Sequence, residues 1–230
     1  MHSRDIAILA NSRKYGGHCI AGKDIKTGEW IRLISKLDSS GNTIPFTNSD
    51  LAKVCGNGNG PSLFSCFRIN FKGKCGIYCQ PENELIDGEP WQILGYIPTE
   101  QLPLLEDQIY PCWLGDPDYG KMDRIPFSDC NPQSPLSRSL LFKKLTAGEH
   151  QLEISHKETM HGRIQYVLKF YINVTLYSLV ITDISVENAL IKKALHEGQL
   201  SSAYVTMGVG QIYKEMNSHY KLVVGLAPLK

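Results

Sequence analysis

The sequence predicts a mainly β protein in which two small barrels follow one another, each with five strands and one short helix. Three observations carry this prediction. Short apolar runs, several alternating with a period of two, recur along the chain. Turn residues such as glycine, asparagine and proline separate these runs. In each half, one helical stretch follows the third strand candidate, which is the element order of an OB-fold, a five-stranded Greek-key barrel.

Length and composition agree with this architecture. The 230 residues suit two domains of about 100 residues each. A net charge of +1 argues against a protein that coats a duplex through bulk charge, so nucleic-acid binding would depend on a local patch. No run approaches the ~20 apolar residues of a membrane span. Seven irregularly spaced cysteines and the lack of an export signal indicate reduced thiols, and we expect a cytoplasmic protein.

The chain divides into three segments by composition. We expect the first barrel in residues 1–97, a proline-rich connector in residues 98–136 and the second barrel in residues 137–230. Prolines recur throughout the middle segment. Because proline lacks the backbone N–H that helices and central strands use, the connector should contain at most a short helix.

In the first half, the strand candidates are DIAILAN, GHCIAGKDI, EWIRLIS, FSCFRINFKG and WQILGYI. A short helix is predicted over residues 49–54. Between the last two strands, Glu82 and Glu84 in PENELID are interpreted as turn residues. In FSCFRINFKG, alternation places Phe67 and Phe71 in the core and Arg68 and Lys72 in solvent.

The second half gives a clearer pattern. Its strand candidates are HQLEISH, RIQYVLKFYIN, TLYSLVITDI, AYVTMGVG and YKLVVGLAPL. The second and third of these should form a hairpin. A helix over VENALIKKALHEG follows, with Asp183 or Ser185 as its N-cap and Gly198 at its C-terminal end.

The octapeptide GHCIAGKD at residues 17–24 lacks only one residue of the phosphate-binding pattern G-x-x-x-x-G-K-[ST]. Asp24 replaces the hydroxyl residue that would hold magnesium. A phosphate-binding loop also needs a helix that begins at the lysine, and the following DIKTGEWIRL contains a turn and a strand instead. We interpret the octapeptide as a strand with glycines near its ends.

No other pattern predicts catalysis, a cofactor or a metal. Nucleophile-elbow and HExxH patterns are absent. The closest metal pattern pairs Cys75 and Cys79 with Cys112 and Cys130, but the second pair is too widely spaced for a zinc knuckle. Buried or unreactive thiols are the favoured interpretation, and we expect a protein that is not an enzyme.

Several short motifs, in this order, resemble the bacterial dual OB-containing domain family. They are LANSRKYGGHCIAGK with GEWIRLIS, CQPENELID before Trp91, LYSLVITD with Glu187, and YKLVVGLAPL. They span almost the whole chain. His18 and Leu33 stand where the family has Arg and Pro, and residues 216–219 replace a Gly-aromatic stretch. The resemblance implies two OB-folds in tandem and a nucleic-acid-binding module, an accessory in bacterial defence or other multi-gene systems.

An OB-fold holds its ligand across barrel strands two and three, between the loops that follow strands one and four. NSRKYGG, residues 11–17, is the first such loop here. Cations beside an aromatic ring suit a single strand, because charge follows the phosphates and the ring stacks on a base. The predicted contact residues are Asn11, Ser12, Arg13, Lys14 and Tyr15, with Lys23 and Arg32 on the next hairpin and Lys169 and Tyr171 in the second barrel.

Each of these residues also has a purely structural interpretation. The loop could be a solvated turn, each strand cation a solvent-facing charge, and Tyr171 a partly buried ring. The leading hypothesis is therefore a non-catalytic module for nucleic acid, most plausibly single-stranded. The alternative is a protein–protein adaptor or regulatory subunit, which the near-neutral charge favours. A weaker third hypothesis is a small-ligand sensor that uses the glycine-lined loop.

Overall fold

The computed structural model describes residues 2–114, 123–159 and 161–229. Its two compact units are Met1–Ile77 with Pro81–Leu105, and Tyr78–Gln80 with Glu106–Lys230. The chain is mainly β, as predicted, and each unit contains its own large sheet. Part of the expected connector, residues 115–122, lies outside the described residues.

The first unit contains eight strands, one α-helix and one 3-10 helix. They are β1 (His2–Lys14), β2 (Gly17–Asp24), β3 (Trp30–Ile34), β4 (Lys36–Leu37), β5 (Thr43–Ile44), α1 (Asn48–Cys55), β6 (Ser65–Lys74), β7 (Asn83–Ile86), β8 (Gln92–Tyr96) and the 3-10 helix Thr99–Leu105. Five of the strands close into a barrel in the order β1-β2-β3-β7-β6, and β6 pairs back with β1. Strands β3 and β7 run parallel. This is the OB-fold order, with α1 between barrel strands three and four.

The predicted helix over residues 49–54 is confirmed as α1. Thr47 caps its N-terminus in a reciprocal capping box with Asp50. Leu51 and Val54 are buried in the barrel core, which also contains Phe67 and Phe71 as predicted from their alternation. Arg68 and Lys72 point to solvent from the same strand.

The prediction for barrel strand five was wrong. That strand is β7, from the segment interpreted as a turn, whereas WQILGYI forms β8, an additional strand at the outer edge of β6. Charged residues in ENELID hide the strand pattern. Glu84 is buried in β7, where His2 Nε2 lies 2.7 Å from its Oε1 and Arg4 Nη2 lies 3.7 Å from its Oε2. This compensation comes from residues about 80 positions away in the sequence.

The described residues of the second unit form eight strands, two α-helices and a 3-10 turn. They are β9 (Arg124–Pro126), β10 (Leu140–Thr146), α2 (Ala147–His150), β11 (Glu153–Glu158), β12 (Ile164–Ile172), β13 (Thr175–Ile181), α3 (Ile184–Ile191), β14 (Gly198–Gln199), β15 (Ser202–Tyr213), the 3-10 turn Lys214–Met216 and β16 (Ser218–Leu229). Strands β12 and β13 form the expected hairpin, and β13 runs parallel to β16.

Barrel strand one of the second unit is divided. Strand β10 pairs with β15, strand β11 pairs with β12, and the short helix α2 separates them. In the first unit, β1 makes both corresponding pairings as one continuous strand, with a bulge between Ile8 and Ala10 in its pairing with β2. The remaining strands follow the order β12-β13-β16-β15, which corresponds to β2-β3-β7-β6 of the first barrel. Both units therefore have OB-fold topology.

Helix α3 begins as predicted and ends early. Asp183 is its N-cap and accepts hydrogen bonds from the backbone N–H groups of Ser185 and Val186. The helix stops at Ile191, not near Gly198, and Lys193 adopts a left-handed conformation with φ 56°. Only Val186 and Leu190 are buried, so the apolar stripe that packs against the barrel is just over one turn long.

In the described parts of the chain, no helix combines the length and the apolar character needed to cross a bilayer.

Candidate nucleic-acid interface

The predicted loop at residues 11–17 is a tight hairpin. Strand β1 continues to Lys14, β2 begins at Gly17, and only Tyr15 and Gly16 form the turn. Both turn residues have positive φ, 48° and 78°, which suits a two-residue hairpin and is easily met by glycine. The predicted loop bounds of residues 11–17 are therefore too wide, because residues 11–14 and 17 belong to the two strands.

The hairpin turn presents an aromatic ring beside cations. Tyr15 is 86% exposed. Lys14 Nζ lies 5.7 Å from the centre of the Tyr15 ring, within cation–π distance. Arg13, one residue earlier, is exposed. The structure thus brings Arg13, Lys14 and Tyr15 together at the end of the hairpin.

Asn11 and Ser12 make internal hydrogen bonds. Asn11 Nδ2 donates to the carbonyls of Asn59 and Pro61, and its Oδ1 lies 2.9 Å from His18 Nδ1. Burial lowers the pKa of His18, which favours a neutral ring that donates this bond. Ser12 is buried, and its hydroxyl donates to the Cys19 carbonyl. These two residues stabilise the hairpin from within.

Lys23 and Arg32 do not extend the patch, which corrects the prediction for both. They are 4% and 7% exposed. Lys23 Nζ donates a 2.7 Å hydrogen bond to the Leu105 carbonyl and lies 5.2 Å from the centre of the Trp30 ring. From the sequence both residues were interpreted as accessible cations of the hairpin, and the sequence could not show that their side chains are covered.

Cys19, a half-buried residue of β2, interacts electrostatically with Lys14 and Arg32. Burial raises the pKa of Cys19, and the nearby cations Lys14 and Arg32 lower it to a smaller extent. Cys19 is opposite Ser12 in the β1–β2 ladder.

GHCIAGKD is strand β2 from its first residue to its last. Gly22 packs so closely on β1 that an added Cβ would stand 2.1 Å from the Ala7 carbonyl oxygen. Lys23 is engaged with Leu105, and Asp24 accepts hydrogen bonds from the backbone of the turn that follows. The glycine and lysine that matched the phosphate-binding pattern thus serve strand packing.

We expect the purified chain to release no phosphate from Mg-ATP or Mg-GTP above the level of a heat-denatured control. The physical reason is that an extended strand presents no helix N-terminus to a phosphate. A coupled phosphate-release assay that compares the wild type with Lys23→Ala tests this expectation. Turnover that disappears in Lys23→Ala would restore the nucleotide interpretation.

In the second barrel, Lys169 and Tyr171 lie on the outward side of β12. Both are partly exposed, and Lys169 Nζ is 3.7 Å from Glu153 Oε1 on the neighbouring strand. Tyr171 is opposite Leu176 of β13. Since β12 and β13 are barrel strands two and three, these residues occupy the usual ligand position of an OB-fold.

The burial of Lys221 in the second unit was not anticipated from sequence, whereas the burial of Cys130 agrees with the interpretation of its thiol. Lys221 is buried, with its Nζ 5.6 Å from the centre of the Tyr177 ring, and burial lowers its pKa to about 8. Burial also raises the pKa of the Cys130 thiol to about 12, which makes it a poor nucleophile. Within the described residues, His, Cys, Asp and Glu side chains form no group of three suited to a metal.

Taken together, the two sheets and the hairpin define a protein of two OB-folds in one chain. The family model of the dual OB-containing domain matches residues 4–226, so the chain belongs to this family. Comparison with the curated proteins and with the solved structures finds no match.

Proposed function

We propose that this chain is a non-catalytic module that binds single-stranded nucleic acid through the β1–β2 hairpin. One observation carries the proposal: the Tyr15 ring projects into solvent with Lys14 beside it, at the loop position where OB-folds contact their ligands. A base stacks on the ring, while Lys14 and Arg13 contact the neighbouring phosphates. Asn11 and Ser12 hold the hairpin in shape and make no direct contact.

The contact area of this site is small. Because Lys23 and Arg32 are buried, the groove between strands two and three of the first barrel contributes no accessible cation from these positions. Lys169 and Tyr171 are a second set of contacts on the other barrel. With few phosphates neutralised, we expect modest affinity that weakens as salt rises.

The cellular role is proposed from the family resemblance. We infer an accessory component of a bacterial defence system or another multi-gene system, acting in the cytoplasm. The genes beside this one provide the simplest check. A nuclease or helicase in the same cluster supports the proposal, whereas a large effector with matched stoichiometry supports an adaptor.

Replacing Tyr15 with alanine is expected to weaken binding of a short single strand by ~1–3 kcal/mol without changing its salt dependence, because stacking carries no net charge. Fluorescence anisotropy with labelled oligonucleotides at several salt concentrations measures both quantities. Tyr96→Ala is the matched control, since Tyr96 is also an exposed tyrosine of the first unit.

In the same assay, Arg13→Ala and Lys14→Ala should each flatten the plot of log affinity against log salt by about 0.7, the contribution of one phosphate contact. Lys72→Ala, an exposed cation on β6, should leave the slope unchanged. Absence of binding at low salt by a folded protein would refute the nucleic-acid proposal and favour the adaptor.

The adaptor remains the second candidate function because of a specific observation. The first sheet ends in an uncharged edge strand, β8, with exposed apolar side chains. Such an edge is suited to a protein partner.

A further inference from the structure

Strand β8 is an exposed edge of the first sheet. It pairs with β6 on one side, and no other strand of the described residues pairs with it. Ile93, Leu94 and Tyr96 are exposed along its length. Proteins usually block such an edge with charges, proline or a covering element. A bulge at Leu94 shifts the register of β8 with β6, but QILGY contains no charge and no proline that would block pairing along its outer edge.

A cavity of about 370 Å³ lies beside this strand. The end of α1, strand β6 and strand β8 form its walls, with Val54, Phe67, Trp91, Ile93 and Tyr96 as its main apolar lining. All of its lining residues belong to the first unit, and the hairpin residues Arg13, Lys14 and Tyr15 are not among them. This site is therefore independent of the proposed nucleic-acid contact.

One lining residue has an unsatisfied hydrogen-bond donor. Trp91 is 7% exposed, and its indole Nε1 has no hydrogen-bond partner within the described part of the chain. The ring packs edge-on against Phe46 and Phe67, which fixes its position. Buried donors in folded proteins are nearly always paired, so this N–H calls for an acceptor such as a peptide carbonyl.

The charge at the cavity specifies the occupant further. Lys53, on the last turn of α1, is the only charged residue among the described residues that line it. An acidic side chain in the occupant would complement this ammonium group. A second copy of β8 fits poorly, because QILGY contains no carboxylate to face Lys53.

We propose that β8 and this cavity form a docking site for an extended segment of a partner protein. The segment adds to the sheet as a strand along β8, inserts an apolar side chain beside Trp91 and places an acidic side chain against Lys53. Main-chain hydrogen bonds supply affinity in this mode of recognition, and the side-chain pockets supply specificity. The indole N–H of Trp91 donates to a carbonyl of the bound segment.

A synthetic array of linear nine-residue peptides tests the proposal on the full chain. Each peptide alternates apolar and polar residues and is made in a glutamate and a lysine form. We expect selective binding of glutamate forms. For the tightest binder, Lys53→Glu should weaken affinity roughly fivefold or more, by losing one ion pair and adding repulsion, whereas Lys72→Glu, the matched reversal on β6, should not.

Nuclear magnetic resonance then locates the bound peptide. The Trp91 indole N–H signal, assigned with Trp91→Phe, should shift downfield on binding, and the amides of residues 92–96 should become protected from exchange. Binding that leaves both signals unchanged, or that survives Lys53→Glu, would overturn the proposal. So would an array without binders, or protection of β8 that rises with protein concentration alone and reveals pairing of two copies.

Discussion

Replacing Gly22 with alanine is expected to lower the free energy of unfolding of the first barrel by more than about 3 kcal/mol. The new Cβ would stand 2.1 Å from the Ala7 carbonyl oxygen and 2.8 Å from Ile6 Cγ2. The first of these atoms belongs to the backbone of β1, which pairs with β2 along most of its length. Relief of the clash therefore requires separation of two core strands.

Urea denaturation followed by far-ultraviolet circular dichroism measures this loss. Gly148→Ala is the matched control, since an added Cβ there meets no atom within 4 Å and the residue lies in α2. Because alanine favours helix, this control should be neutral or stabilising by about 0.5–1 kcal/mol. A Gly22→Ala protein as stable as the control would contradict the close contact between β1 and β2.

Asp183→Ala is expected to destabilise the second barrel by about 3 kcal/mol or more. The side chain is 1% exposed. Its Oδ1 accepts hydrogen bonds from Ser185 N, Ser185 Oγ and Val186 N at the start of α3, and its Oδ2 accepts one from Leu226 N in β16. Alanine would remove the helix cap and leave a buried strand amide unpaired.

Two further variants separate these contributions in the same denaturation experiment. Asp183→Asn keeps one acceptor for the cap but loses the bond to Leu226. It also avoids the cost of burying a charged carboxylate; burial raises the pKa of Asp183 for the same reason. We expect the free energy of unfolding of Asp183→Asn to lie between those of the wild type and Asp183→Ala. Thr146→Ala should be nearly neutral, because Thr146 caps α2 without a side-chain hydrogen bond. Equal stability of Asp183→Ala and wild type would show that the cap is dispensable.

Local patterns were sufficient to predict the elements whose partners are close in sequence. The β12–β13 hairpin and the cap at Asp183 depend on neighbours within a few residues. The helix over residues 49–54 was likewise predicted from a short window. Such features depend on alternation, turn residues and capping, all of which the sequence displays directly.

Long-range compensation explains what could not be predicted. Barrel strand five was missed because His2 and Arg4, far away in sequence, compensate the burial of Glu84. Lys23 looked like a surface charge because its acceptor, the Leu105 carbonyl, is 82 residues away. The position of β8 at the edge of the sheet could not be predicted either, since QILGY has the apolar pattern of an interior strand.

Closure of the first barrel has a consequence for synthesis on the ribosome. Residues His2 to Ala7 of β1 find their β6 partners only after about 60 more residues have been made, since Ile6 pairs with Phe67. At translation rates of about 5–20 residues per second, this interval lasts roughly 3–12 seconds. During that time the backbone N–H and C=O groups along one edge of β1 have no strand partner, and we expect the nascent chain to be open to chaperone binding over this interval.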